Sequence, residues 1–267
     1  MDRELNKQFK KLHKREDKIL NKKENKFISK KISPIKDKIQ EKIPDKLIGV
    51  LESAFLKGFQ VVFEKGNPYI EKTYNKKNIQ LEYDLNNYAI DKRIDKRNIK
   101  RIDKQANSSL FRNSSLSFIE GGVLGLLGVG LPDIPVFIAM IMKSIYEVAL
   151  GYGYDYDSDE EKAYILLILS GSLSKGEEQK GYNEEIDRLG EQIDRKIKTE
   201  VNLKERMEQT SKVLSEAMLT TKFIQGFAIV GVIGSVANFN IINKIGEYAS
   251  LKYKKRYLLA KSRNKLR

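Results

Sequence analysis

Two carboxylates that share one face of a predicted helix are the first candidates for chemistry. Asp133 stands between two prolines, and Glu147 follows on a helix predicted from about Ile134 to Leu150. At about 100° per residue the two side chains fall within roughly 40° of one line, so together they could bind a cation or a substrate. Asp133 could instead cap that helix, and Glu147 could pair with Lys143. Both interpretations stay open.

A tyrosine- and acid-rich stretch follows at residues 152–161. Its acids alternate as in a calcium-binding loop, but Glu160 stands where the EF-hand requires glycine, and Leu166 stands where it requires glutamate. An EF-hand is therefore excluded. We predict a functional acidic cluster at this end of the helix, made of Asp133, Glu147, Tyr152, Asp155, Glu160 and Glu161.

Composition excludes nucleophile systems that depend on cysteine or on a core histidine. Cysteine is absent, so neither disulfides nor thiolate metal ligands are available. The single histidine, His13, lies in a lysine-rich stretch that we expect to be solvated, and a core nucleophile activated by histidine cannot be built. We predict no catalytic residue, no metal site and no cofactor. An enzyme or metal-dependent activity that uses clustered carboxylates is the first alternative, built on Asp133, Glu147, Asp155 and Glu160.

Positive charge is concentrated in three blocks of the chain. The net charge is +14, with 16 Lys/Arg against 8 Asp/Glu in residues 1–48, 7 against 2 in residues 92–104, and 8 against none in residues 252–267. Such blocks favour an anionic partner. In residues 1–48 a solvated helix surface is an open alternative, because acids are interspersed. The predicted contacts to an anionic surface lie in the last block and are Lys252, Lys254, Lys255, Arg256, Lys261 and Arg263.

Nucleic acid is disfavoured as the anionic partner. The basic blocks contain no recognisable nucleic-acid-binding module, so this interpretation depends on charge alone. Nucleic-acid binding through the basic termini is therefore the second alternative, behind an anionic membrane surface or a membrane protein.

The hydrophobic pattern predicts an all-α protein with two parts. Residues 1–42 form a basic extension, helical or disordered, whose thin apolar stripe predicts weak docking at most. Residues 43–267 form the folded domain. Apolar residues at helical spacing from Leu47 to Phe63 predict its first helix, which we expect to end at residues 65–68.

Later helices are predicted from the same periodicity and from their start and stop signals. The acids at residues 157–161 mark a helix start, because carboxylates are favoured at a helix N-terminus. A polar loop is expected from Gly171 to Gly181. The further predicted helices cover about 69–110, 134–150, 159–169, 183–198 and 202–219.

Two glycine-rich apolar segments raise the question of a membrane. Residues 121–142 and 223–243 are long enough to span a bilayer. However, Asp133 costs the first about 3 kcal/mol, and several polar residues weaken the second. We therefore expect both to be helical segments at the centre of a multi-helix bundle, with membrane insertion as the alternative.

Several motifs occur together along residues 43–260. They are Ile43-Pro-Asp-Lys46, Phe63-Glu-Lys-Gly66, Gly121-Gly122 with Gly125 and Gly128, Leu131-Pro-Asp-Ile-Pro135, Glu147, Tyr152-Gly-Tyr-Asp155, Glu160-Glu161, Asn238 and Lys255-Arg-Tyr-Leu258. In this combination the sequence resembles the EcsC family of bacterial proteins, which is named for a gene beside those of an ABC exporter. The basic N-terminal extension is not part of the resemblance.

The resemblance implies an α-helical, membrane-associated bacterial protein in an ABC-transporter-linked context. It brings no settled biochemical activity. We therefore expect a non-enzymatic accessory or binding protein of uncharacterised activity, located in the cytoplasm at the inner face of the cell membrane. Its expected partner is an anionic membrane surface or a membrane protein.

Overall fold

The described part of the chain is built from helices. A computed structural model describes residues 3–21, 45–108, 110, 133–224 and 235–264, and no strand occurs in them, which confirms the predicted all-α fold. A π-helical turn, Val62–Gly66, joins the second helix to the third. The helices are α1 (Arg3–Leu20), α2 (Asp45–Val61), α3 (Asn67–Glu71), α4 (Lys76–Lys92), α5 (Lys96–Ala106), α6 (Asp133–Gly151), α7 (Asp159–Leu173), α8 (Gly176–Asp194), α9 (Leu203–Ile224) and α10 (Ser235–Asn264).

Helix α6 lies at the centre of the bundle. It packs against α2, α4, α5 and α10, and Ile138, Ile141 and Ile145 are fully buried. Among the described residues, Ile134–Gly151 is the one stretch long and apolar enough to cross a membrane, with a mean hydropathy of 1.6, but 78 % of it is buried inside the protein. The core helix of a soluble protein passes the same test of length and composition.

Helix α7 is the second central element. All positions from Ala163 to Ser172 are buried, and the helix packs against α8, α9 and α10. A helix that is covered all round is a core helix rather than a surface helix. About half of each glycine-rich segment, residues 121–132 and 225–234, lies outside the described residues, so the central position expected for these parts stays a prediction.

The predicted boundaries around the α6–α7 connection are confirmed. Helix α6 ends at Gly151, and the side chain of Ser158 caps α7 by accepting the Glu161 N–H at 3.2 Å. Between them, Gly153 adopts a φ of +83°, in the left-handed region that favours glycine. A Cβ at this position would lie 2.1 Å from the ring of Tyr83, so the turn requires glycine for both reasons.

Two predicted breaks are wrong. The helix expected to end at residues 65–68 continues through the π-helical turn into α3, because Pro68 occupies the first turn of α3, where its missing N–H removes no helical hydrogen bond. The loop expected from Gly171 to Gly181 is mostly helix, since α7 reaches Leu173 and α8 begins at Gly176. Glycine at 171 allows close packing, because a Cβ there would lie 3.1 Å from side chains of α8.

The N-terminal helix α1 packs firmly on the domain, so the prediction of weak docking is wrong over Arg3–Leu20. Leu5 and Leu12 are buried, and the helix contacts α8 and α10. Glu16, on the same inner face, is buried against two lysines of α10. The predicted boundary between residues 42 and 43 lies outside the described residues and stays a prediction.

Candidate functional site

The α6–α7 connection carries three tyrosines that contact different helices. Tyr152 and Tyr154 lie against α10, with ring centroids 6.1 Å from Tyr257 and 5.5 Å from Tyr253 respectively. Tyr156 contacts α3 instead, where its hydroxyl donates a hydrogen bond to a glutamate. The stretch predicted as the acidic end of the site therefore divides its side chains among three groups of contacts.

Tyr156 is the centre of the first network. Its hydroxyl donates to Glu71 Oε1 at 2.5 Å and lies 2.6 Å from the Tyr74 hydroxyl. Because a phenol has a single proton, Tyr74 is the donor to Tyr156. Lys76 donates to the same Glu71 oxygen at 2.9 Å and lies 4.7 Å from the Tyr156 ring centroid. Burial, Glu71 and Tyr74 raise the pKa of Tyr156, which therefore stays a neutral donor.

The two aspartates of the connection lie beside this network. Asp155 accepts the backbone N–H of Tyr156 at 2.7 Å, and Asp157 lies 3.8 Å from Lys76 Nζ. Burial and the neighbouring Asp155 raise the pKa of Asp157 above its ordinary value. Lys76 is thus shared between an exposed carboxylate and the buried hydrogen-bond chain.

Glu147 lies near the same network but has its own partner. Lys143 Nζ donates to it at 2.9 Å along α6, and both side chains are largely buried. Lys143 also lies 6.0 Å from the Tyr74 ring centroid. The helix pair that was one of two alternatives for Glu147 is therefore formed.

The second network is centred on Arg256 of α10. Its guanidinium binds Glu161 through two hydrogen bonds of 2.6 and 3.0 Å, and it donates two more to Asp194 Oδ1 at 2.7 and 3.1 Å. All three charged side chains are more than nine-tenths buried. Burial raises the pKa of Glu161, although Arg256 opposes this effect. Three tyrosine rings surround the guanidinium at 4.2, 4.5 and 5.6 Å: Tyr154, Tyr164 and Tyr253.

Tyr152 belongs to a third group of contacts, which joins α10 to α5. The Tyr152 hydroxyl donates to Asp103 Oδ1 at 3.0 Å, and Lys254 donates to Asp103 Oδ2 at 2.6 Å. Lys254 also donates to Gln8 of α1 at 3.4 Å. Lys254 therefore lies between α1 and α5, which flank this part of α10.

The predicted acidic cluster is divided by this arrangement. Glu147 and Asp155 lie around the first network, whereas Tyr152 and Glu161 face α10. Glu160 is half-buried and forms no ion pair with a described residue of either network, and the Asp133 side chain lies outside the described residues. Within the described residues, no group of three or more His, Cys, Asp or Glu side chains is arranged to hold a metal ion. A functional role for the cluster stays a prediction.

The six basic residues predicted to contact an anionic surface are each paired with a carboxylate of the chain itself. Lys252 and Lys255 pair with Glu16 and Asp187, Lys254 with Asp103, Arg256 with Glu161 and Asp194, Lys261 with Asp91, and Arg263 with Asp194. Their charge is therefore neutralised inside the protein. A contact between these residues and an external anion would require the pairs to open.

Lys252 shows how completely this charge is buried. Its side chain has no exposed surface, and its ammonium donates to Glu16 Oε1 at 2.7 Å and to Asp187 Oδ1 at 2.9 Å. Lys255 contacts the same two carboxylates. Burial raises the pKa of Glu16, but the two lysines outweigh this effect and hold the pKa below its ordinary value. Two lysines and two acids thus form a neutral group between α1, α8 and α10.

Unpaired positive charge lies elsewhere, on the outward faces of α1 and α5. The exposed basic residues of α1 are Arg3, Lys7, Lys10, Lys11, Lys14, Arg15 and Lys18, and those of α5 are Lys96, Arg97, Lys100, Arg101 and Lys104. No carboxylate in the described part of the chain forms an ion pair with any of them. We call these twelve side chains the outer basic faces.

The acids of α1 and α5 explain why these faces are so strongly basic. Glu16 and Asp103 point inward and bind lysines of α10, and Asp95 caps the N-terminus of α5 through the Asn98 N–H. On α1, Asp17 is the one fully exposed acid among the described residues, and on α5 none is. Because these acids point inward, the outward faces of α1 and α5 carry a net positive charge.

Sequence reasoning chose the basic residues of α10 as the anion-binding candidates, since it relied on the ratio of basic to acidic residues in each block, and it did not predict their pairing with carboxylates. In residues 1–48 and 92–104 the acids lowered that ratio. Two of these acids, Glu16 and Asp103, point inward and so do not reduce the positive charge of the surface. Helical spacing could have separated the two faces of α5, because Ile99, Ile102 and Ala106 mark its buried side. The Glu71–Tyr74–Tyr156 network had no signal in the sequence.

A surface cleft of about 260 Å³ lies beside α8 and α9. An ion pair between Arg206 and Glu185 forms part of its wall. The other lining residues are mostly polar, including Gln192, Asn202 and Glu205. Its charged groups are satisfied within the protein, and it offers no enclosed apolar pocket for a small molecule.

Comparison with known proteins identifies one family. The EcsC protein family matches the chain over residues 6–258, which includes α1 as well as the domain where the motifs were found. The match shows that the N-terminal helix belongs to the family pattern. No curated protein and no solved structure matches the chain significantly.

Proposed function

The chain belongs to the EcsC protein family, and we propose that it is a non-enzymatic accessory or binding protein that docks on the anionic inner face of the cell membrane. The observation that carries the proposal is the pair of outer basic faces on α1 and α5. A membrane-protein partner, including an ABC transporter, stays an expectation from the family resemblance.

The outer basic faces fit the electrostatics of a membrane surface. Each Lys or Arg near an anionic bilayer contributes about 1 kcal/mol of attraction, and this attraction is screened by salt. Helices α1 and α5 flank Lys254, whose ammonium contacts a side chain from each. The two helices therefore lie near each other, and the proposal has their outer basic faces act on one surface.

Nucleic acid is supported less well by the same surface. Proteins that bind single strands place aromatic side chains beside their basic groups so that bases can stack. The exposed residues of α1 and α5 include no Phe, Tyr or Trp, and their one ring is that of His13. A surface of charges without stacking groups favours an array of lipid phosphates.

The enzyme alternative is not favoured by the carboxylates that were proposed to support it. Of the four, Glu147 is paired with Lys143, Asp155 accepts the backbone N–H of Tyr156, Glu160 is half-buried, and the Asp133 side chain lies outside the described residues. A general acid or nucleophile needs access to a substrate, whereas Glu147 is largely buried in its ion pair. We therefore base the proposal on the surface.

The proposal is tested by sedimentation of the full chain with vesicles. We expect binding to vesicles of phosphatidylglycerol and phosphatidylethanolamine, weak binding to phosphatidylcholine, and release as the salt concentration rises. A variant that combines Lys96→Gln, Lys100→Gln and Lys104→Gln should bind on the order of 100-fold more weakly, since three charges contribute about 3 kcal/mol.

The matched control removes three exposed lysines from another part of the surface, through Lys198→Gln, Lys204→Gln and Lys212→Gln. It should bind within a fewfold of the native chain. A native protein that stays in the supernatant with anionic vesicles at low salt would disprove the proposal, as would equal losses in both variants. Binding to DNA or RNA in preference to vesicles would select the nucleic-acid alternative.

A further inference from the structure

Helix α4 carries an apolar stripe that faces solvent. Leu81, Leu85 and Tyr88 are exposed at 58, 64 and 64 %, although large apolar side chains of this kind are usually buried. They recur at helical spacing and so lie on one side of the helix. In a core-facing helix this spacing would mark the buried side.

Lysines stand at both ends of the stripe. At about 100° per residue, Lys77, Leu81, Leu85, Tyr88 and Lys92 fall within an arc of about 80°. Both lysines are exposed, and Lys92 Nζ lies 5.3 Å from the Tyr88 ring centroid. An apolar line ending in flexible cations is typical of a helix that lies in a membrane interface.

Helix α5 adds a basic face beside the stripe. Both helices turn isoleucines inward, with Ile90, Ile99 and Ile102 buried, and both pack against α6. Their outward faces therefore share one side of the molecule. Across residues 77–104 eight exposed Lys/Arg stand against three exposed acids. One of these acids, Asp84, borders the stripe.

The two helices form a fixed hairpin. The Asn98 side chain donates to the carbonyls of Ala89 and Arg93 at 3.3 and 2.9 Å, and Gln105 donates to the Ile79 carbonyl at 3.3 Å. The stripe and the basic face are thus held in a constant relation to each other. Such a surface needs no ordering before it meets a partner.

We propose that the α4–α5 hairpin is the surface that enters the lipid interface, with Leu81, Leu85 and Tyr88 reaching the boundary of the acyl chains while the lysines and arginines of α5 bind lipid phosphates. This inference rests on the proposed membrane docking and adds the hydrophobic part of the contact. Tyrosine suits this depth, because its ring is apolar and its hydroxyl remains hydrated.

Charge favours a lipid surface over a second copy of the chain. A symmetric contact through the stripe would bring two copies of the same basic face together, and like charges repel. An anionic bilayer supplies the complementary charge and the apolar phase at once. The apolar stripe of α4 and the basic face of α5 would then both contact the bilayer.

A single fluorescent probe tests the insertion directly. The sequence has no cysteine, so Leu85→Cys gives a unique site for a polarity-sensitive label, and Val50→Cys on α2, where the native side chain is half exposed, gives the matched control. With phosphatidylglycerol vesicles we expect a blue shift for the label at position 85 and no shift at position 50. The double variant Leu81→Ser and Leu85→Ser should bind these vesicles at least about tenfold more weakly, whereas Val50→Ser with Ile197→Ser should bind like the native chain.

The outcomes separate this inference from the proposed function. If the native chain binds anionic vesicles but the label at position 85 does not shift, or the serine pair at 81 and 85 binds normally, the inference is overturned and membrane docking stands. If the native chain does not bind anionic vesicles, both are overturned. A native dimer that the same serine pair converts into a monomer would assign the stripe to a second copy and overturn the inference.

Discussion

Helix α10 and helix α5 are both rich in lysine and arginine, yet they use these residues in opposite ways. The basic side chains of α10 from Lys252 to Lys261 point into the protein and bind carboxylates of five other helices. The basic side chains of α5 from Lys96 to Lys104 point into solvent, and its acids are used inside. Similar composition thus produces a core network in one helix and a surface in the other.

The difference shows that a basic block does not identify its partner. The described part of the most uniformly basic block is neutralised within the fold, whereas the mixed blocks supply the exposed charge, because Glu16 and Asp103 pair with lysines of α10. A deletion of residues 252–267 would therefore not test anion binding. It would leave buried acids without counterions, and their desolvation would destabilise the fold.

Replacing Arg256 should give the largest change in stability. In Arg256→Met the buried carboxylates of Glu161 and Asp194 lose four hydrogen bonds and their main counter-charge. We expect the free energy of unfolding to fall by about 3–5 kcal/mol, measured by urea denaturation. The control is Arg263→Met, because Arg263 is a third exposed and contacts Asp194 at 3.4 Å; it should cost at most about 1 kcal/mol. If both variants lost the same free energy of unfolding, burial would not distinguish Arg256 from Arg263, and the prediction would be wrong.

Glu16 should make stability depend on pH in the acid range. Its pKa lies below the ordinary 4.5, because Lys252 and Lys255 outweigh the effect of burial. The Glu16 carboxylate therefore takes up its proton at a higher pH in the unfolded chain than in the folded protein. Its contribution to the free energy of unfolding is fully present above about pH 4.5 and is lost as the pH falls through the pKa of the folded protein. The native chain should be more stable than Glu16→Gln at about pH 7, and the difference in their free energies of unfolding should narrow below about pH 4.5. Urea unfolding of both proteins across this pH range measures the difference. A difference that does not change with pH would contradict the ion pairs of Glu16 with the two lysines.

The smallest change in stability is expected on α5. Lys96→Gln, Lys100→Gln and Lys104→Gln together should shift the free energy of unfolding by less than about 0.5 kcal/mol per residue, since these side chains are exposed and form no ion pair with a described carboxylate. Thermal and urea unfolding of the variant would show this. If this variant lost as much free energy of unfolding as Arg256→Met, the lysines of α5 would be as important for stability as the buried arginine of α10, which would contradict the comparison.

Local signals in the sequence predicted much of the helical framework. The end of α6 at Gly151 and the start of α7 among the acids at residues 157–161 were predicted from local signals, and Ser158, within that stretch, caps α7. The break expected at residues 65–68 failed, because a π-helical turn allows Gly66 and Pro68 to continue the helical path. Whether a glycine or proline ends a helix depends on how that part of the chain packs against residues distant in sequence, which a short stretch of sequence does not show.

The polar networks could not be predicted in the same way. The partners of Lys252 are Glu16 and Asp187, 236 and 65 positions away in the chain. Tyr156 and Glu71 are separated by 85 positions. Periodicity can show that a position faces inward, but it cannot select one of many carboxylates as its neighbour. The placement of Glu147 beside Lys143 was available as an alternative because that pair is local.

The bond between Glu16 and Lys252 has a consequence for the order in which the protein is made. Helix α1 is synthesised early, but its buried acid receives a counter-charge only when α10 has been translated. Contacts of such long sequence separation slow folding, since the intervening chain must first be brought into place. Chains interrupted before α10 would lack these counter-charges and the main helix on which α1 packs, so their first helix would be loosely attached.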